Sequence, residues 1–130
     1  MSGPFVLVGT HRIADGQLEA FKKDARTLVQ LVREREPQLL AFNFFFNEDE
    51  TEVSVVQVHP DADSMLTHMQ VAKEHITEAT ETLLSTKDIQ IYGATNEAVV
   101  GMISQLTQAG VPMTVKPVHL DGFTRSSVTP

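Results

Sequence analysis

Residues 39–59 read LLAFNFFFNEDETEVSVVQVH: two apolar runs of strand length enclosing an acidic, water-loving break. Phe and Val suit a pleated sheet, whereas Asn47-Glu48-Asp49-Glu50 suits a surface turn, so the stretch predicts an antiparallel hairpin. Both side-chain parities of its first strand are largely apolar. One carries Leu40, Phe42, Phe44 and Phe46, and the other carries Leu39, Ala41, Asn43 and Phe45. A sheet with one wet face alternates apolar and polar residues instead. Helices cover only one face of a small two-layer domain, and a second copy of the chain is the simplest cover for the other.

Working outward, Phe5 to His11 is a short strand of the same two-sided apolar character, with Gly9 marking a bulge or a close backbone approach. Asp15 is placed to cap a helix that runs to Glu36 and stops before Pro37. Its apolar stripe is Leu18, Phe21, Ala25, Leu28 and Val32, with basic residues to the sides. After the hairpin, Pro60-Asp61-Ala62-Asp63 opens a second helix expected over Asp63–Leu84, followed by a strand over Asp88–Tyr92. Strand, helix, strand, strand, helix, strand is the split βαβ order of an α+β, ferredoxin-like fold with an antiparallel sheet. A third helix capped by Thr95 or Asn96 and an edge strand over Met113–Leu120 extend it. The expected organisation is one domain over residues 1–130: a core over 4–93, a C-terminal helix and strand over 94–124, and a flexible tail over 125–130.

Composition narrows the function. The chain of 130 residues fits one core, and 17 acidic against 10 basic side chains give a formal charge of −7, which disfavours a phosphate-tracking surface. No nucleic-acid partner is expected. There is no cysteine, hence no thiolate nucleophile and no cysteine-ligated metal. Neither a signal-peptide pattern nor a run of some 18 apolar residues is present, so the expected location is cytoplasmic, with no membrane partner. Glycine-rich phosphate loops, HExxH and GxSxG are all missing.

The polar residues that invite chemistry cluster on the second helix. Ser64, His68, His75, Glu78 and Thr82 form a strip at steps of four, seven and three. His68 and His75 stand about 10.5 Å apart along the axis, too far to share one zinc ion, so no metal is expected. Glu78, one turn beyond His75, is placed to fix its tautomer and raise its basicity. Both histidines also read as partly exposed helix residues or as dimer contacts. Asn43 and His11 interrupt apolar strand parities and are expected on the side of the sheet away from the helices. A buried amide there needs a partner from the fold, an interface or a ligand. Tyr92 is the only tyrosine and either orients a substrate or packs at the sheet edge.

The opening FVLVGTHR, the junction REREPQLLAFNFFFNEDETEV and the helix DADSMLTHMQVAKEHI together resemble the antibiotic biosynthesis monooxygenase-like group of the dimeric α+β barrel superfamily. The resemblance covers about residues 4–93 and rests on layout and a few positions. It implies a homodimer whose sheets pack face to face. Some members oxidise quinols or polyketide aromatics with molecular oxygen and no metal or flavin, others cleave haem, and many have no known activity. The haem-cleaving branch uses a tryptophan; this sequence has none, and the corresponding position falls near His68.

The resemblance therefore implies a cofactor-independent monooxygenase acting on a small aromatic or quinol-like compound. His75 and His68 are then the candidate catalytic residues, and Asn43, His11, Glu78 and Tyr92 the substrate contacts. The alternative is a catalytically silent dimer that binds a small hydrophobic molecule or only self-assembles.

Overall fold

The protein is described by a computed structural model over residues 3–79 and 81–125, the side chains of 74–79 excepted. The described elements are β1 (Phe5–Ile13), α1 (Leu18–Arg35), β2 (Ala41–Phe46), β3 (Glu52–His59), α2 (Ala62–Ala79), β4 (Leu83–Tyr92), α3 (Glu97–Gln108) and β5 (Met113–Lys116). The Phe/Val-rich hairpin forms as the sequence predicts, from Ala41 opposite Val58 to Phe46 opposite Val53. Its turn is held by Asn47, whose Oδ1 accepts from the amides of Thr51 and Glu52, both at 3.0 Å.

The sheet order is β2-β3-β1-β4-β5. Strands β2, β3, β1 and β4 pair antiparallel, as the split βαβ order requires, and β5 adds to β4 in parallel. The result is an open, mixed sheet. Pleating sends Phe5, Leu7, Val53, Ile89 and Ile91 into the helix-covered core, where they meet Ala62, Met65, Phe21 and Val99. The other face carries Val6, Val8, Ala41, Val56, Val58 and Tyr92, all half-buried, with Asn43 and Phe45 exposed. Phe45 keeps 58% of its surface in contact with solvent.

Several boundaries differ from the sequence reading. Asp15 does not cap α1; Gln17 occupies that position without a side-chain bond. Helix α2 ends at Ala79, and Leu83 and Leu84 belong to β4. Leu83 lies at a helical step from Ala79, but it pairs with Ile13 of a β1 that runs two residues past His11. That partner strand outcompetes local periodicity. Asp61 does cap α2, accepting from the Ser64 amide at 3.0 Å, and Asn96 caps α3 through the Val99 amide at 2.9 Å. Strand β5 sits at the edge as expected but stops at Lys116, before Pro117, which has no amide proton to continue the ladder. Among the described residues no helix is long and apolar enough to cross a membrane.

Gly93 closes β4 at φ 112°, and a Cβ there would lie 2.4 Å from the Pro4 carbonyl oxygen. Gly16 also has a positive φ, 76°, but nothing within 4 Å of its Cβ position. Gly93→Ala is expected to lose more stability than Gly16→Ala, with about 1–3 kcal/mol from the backbone alone at Gly93. Urea denaturation of both variants beside the parent checks the order.

Candidate active site

The apolar stripe of α1 steps from Leu28 to Val32 and then, four residues on, to Glu36. A carboxylate on that stripe is carried into the core. Glu36 leaves the helix at φ −126° and ψ 66°, its amide still bonded to the Val32 carbonyl, and its side chain is fully buried. Its two oxygens lie 2.9 and 3.1 Å from Nδ1 of His68 on α2. Nδ1–H therefore donates to the carboxylate, which fixes both the tautomer and the plane of the ring. The Phe42 ring packs against His68 at a centroid distance of 5.2 Å.

A second histidine completes the cluster. His59, at the end of β3, has no exposed surface and stands 5.9 Å from the His68 ring. Its Nε2 lies 3.0 Å from Gln57 Oε1 and its Nδ1 lies 2.6 Å from Ser64 Oγ. Gln38 Nε2 donates to the same hydroxyl at 3.2 Å. The consistent assignment is Nε2–H donating to Gln57 and the Ser64 hydroxyl donating to Nδ1. Burial, reinforced by the neighbouring His68, pushes the His59 pKa down to about 4. His59 is thus a neutral, doubly bonded support.

His68 differs in one respect: its Nε2 has no hydrogen-bond partner among the described residues. A ring nitrogen left free, with the opposite nitrogen held by a carboxylate, is the arrangement of a general base. The sequence pairs His75 with Glu78 but offers His68 no carboxylate one turn away on its own helix. Glu36 arrives from 32 residues away. The signal for it was present, since Glu36 continues the α1 stripe. Gln38, Gln57 and His59 carried no comparable signal.

The remaining predicted site residues do not gather here. Asn43 is exposed on the opposite face of the sheet, paired with Val56. Tyr92 lies on that face too, its hydroxyl donating to Gln90 Oε1 at 2.9 Å. His11 was expected on that face, but it shares the helix-side parity of Leu7 and Gly9, because β1 stays in regular register with β3 through His11 and Val53. It bonds Thr86 at 2.9 Å, and burial lowers its pKa against the opposing pull of Asp88. Six residues of β3 separate its partner Val53 from His59, some 20 Å along the strand. The side chains of His75 and Glu78 lie outside the described residues. Among the described residues no group of three His, Asp or Glu is placed to hold a metal. A cleft of about 390 Å³ lies at the His59 end of the sheet, lined by Pro4, Leu40, Pro60, His119 and Phe123 among others.

No protein-family model and no curated relative matches the sequence. Solved structures do. MupZ from Pseudomonas fluorescens aligns over 98% of this chain and 99% of its own, with a TM-score of 0.74 and 23% identity. A candidate antibiotic biosynthesis monooxygenase from Nitrosomonas europaea aligns over 75% of this chain and 95% of its own, at a TM-score of 0.63 and 17% identity. One from Caulobacter crescentus CB15 covers 69% of this chain and 86% of its own, at 0.61 and 18%. The chain has the antibiotic biosynthesis monooxygenase-like, ferredoxin-like fold that these structures share, and the MupZ alignment extends through the C-terminal helix and strand.

His59 gives the site a pH signature. Its folded pKa, about 4, lies below the ordinary 6.5, so between these values the unfolded chain binds more protons than the native one. Its contribution to stability is complete above about 6.5 and disappears as pH falls toward 4. His59→Gln is expected to flatten the slope of unfolding free energy in that window, by up to about 1.4 kcal/mol per pH unit for one proton. Urea titrations at half-unit pH steps give both slopes.

Proposed function

We propose that the protein is a cofactor-independent monooxygenase for a small hydroxyaromatic or quinol-like substrate, with His68 as the base and Glu36 as the residue that positions it. The observation that carries this reading is the buried Glu36–His68 pair at 2.9 Å, with Nε2 unpartnered among the described residues. The fold's likeness to candidate monooxygenases gives it independent support.

Proton loss to Nε2 converts such a substrate into an electron-rich anion that reduces oxygen directly. Radical recombination forms a C–O bond as a hydroperoxide. O–O cleavage with loss of the adjacent C–H proton then expels water. The net change is a phenol with a free ring C–H plus O₂ giving a quinone plus water, and the substrate supplies all four electrons. Glu36 stabilises the imidazolium formed on proton transfer, and Phe42 offers a flat apolar wall beside it.

The functional unit in this reading is a homodimer joined through the face bearing Val6, Val8, Val56 and Val58, which no described element covers. The catalytically silent reading shares that dimer and differs only in chemistry.

Oxygen uptake with a panel of quinols and phenols tests the activity. His68→Gln is expected to lower kcat about 10²- to 10⁴-fold, and Asn43→Ala and Tyr92→Phe to leave it within about threefold. A larger loss in His75→Ala than in His68→Gln would move the base to His75. No uptake with any compound shown to bind favours the silent reading. Sedimentation equilibrium is expected to give twice the 14.4 kDa chain mass, and a folded monomer at micromolar concentration removes the dimer.

A further inference from the structure

We propose that this site takes its ligand as an uncharged weak acid and discriminates against carboxylates and phosphates. The inference rests on the reading of His68 as the residue that meets the ligand, and its test reads binding rather than turnover.

Glu36 is fully buried, and its side chain has His68 as its one hydrogen-bond partner among the described residues. Of the ten lysines and arginines, all are exposed except Lys22, which is half-buried and pairs with Glu19 and Glu50 at 3.4 Å. Residues 74–80, whose side chains are not described, read EHITEAT and add no lysine or arginine. His59 cannot serve as a counter-charge, because both its ring nitrogens are already bonded and it stays neutral above its depressed pKa. Apart from the His68 ring itself, no buried cation among the described residues therefore supplies the standing positive charge that an anion needs on leaving water.

A ligand oxygen bonded to Nε2 lies roughly 7 Å from the Glu36 carboxylate, counting two hydrogen bonds and the width of the ring. Two like charges at that separation, in a partly desolvated site, weaken binding by about one to two orders of magnitude. A neutral hydroxyl meets no such repulsion. When it gives up its proton, the charges alternate from Glu36 to the imidazolium to the ligand anion. The same carboxylate that opposes an anion on entry thus favours one formed in place.

The probes are 2-naphthol, 6-hydroxy-2-naphthoic acid and the methyl ester of that acid, titrated into the full chain at pH 7.5 and followed by naphthol fluorescence. The expected result is 2-naphthol binding at least about tenfold more tightly than the acid, with the ester within about threefold of 2-naphthol. In Glu36→Gln the gap between 2-naphthol and the acid is expected to close to about threefold, by a gain for the acid. An acid that binds as well as 2-naphthol, or an ester as weak as the acid, overturns the proposal. So does a gap that persists in a folded Glu36→Gln; if that variant does not fold, the ester comparison decides. Selective binding without oxygen uptake leaves the charge rule standing and removes the monooxygenase reading. No binding of any probe at 1 mM overturns both.

Discussion

A carboxylate with no exposed surface and no lysine or arginine paired with it must be met from close by, and in this fold Glu36 is met by His68. The pair ties the end of α1 to the middle of α2 across the strands that lie beneath them. Removing one partner of such a buried pair typically costs about 3–5 kcal/mol, because the other is left uncompensated. Retaining it makes sense where the polarity serves a purpose other than packing. The contacts around it fit that view. Phe42 fixes one side of the His68 ring, His59 stands edge-on beside it, Ser64 and Gln57 use up the hydrogen-bonding capacity of His59, and Gln38 holds the Ser64 hydroxyl.

The sheet divides the molecule into two problems. On the helix side it presents an aromatic and aliphatic core with a cluster of buried polar side chains at the His59 end of β3. On the other side, half-buried valines run beside exposed Phe45, a surface with too little charge for an ordinary wet face. The parity of a single strand decides which side each residue serves, and a shift of one residue would exchange them. For this reason Asn43 and Phe42, adjacent in sequence, belong to different questions.

Much of the architecture was legible in the sequence because it rests on local signals: the hairpin pattern, the α1 stripe, Asn96 as a cap, and Pro117 as the mark of an edge strand. The misread boundary at Leu83 has a non-local cause, since pairing with Ile13 is invisible to a helical window. The site was only half legible. His68 stood out as a polar residue beside an apolar stripe, whereas its partner sits 32 residues earlier and marked only the end of the first helix. The step from Val32 to Glu36 was the available clue. Asn43 interrupts an apolar run, and its parity carries it, as expected, to the face away from the helices, where it is exposed in the single chain.

The central claim is that His68 holds its proton on Nδ1 toward Glu36 and offers Nε2 to a ligand, while His59 does neither. Nitrogen-15 NMR of the histidine-labelled chain reads this directly. At pH 7.5 the account predicts a Nδ1–H tautomer for His68 and a Nε2–H tautomer for His59. Adding 2-naphthol is then predicted to shift the Nε2 resonance of His68 and leave both nitrogens of His59 in place. A His68 ring protonated on Nε2 alone, or one whose resonances stay still while the ligand binds, would contradict it.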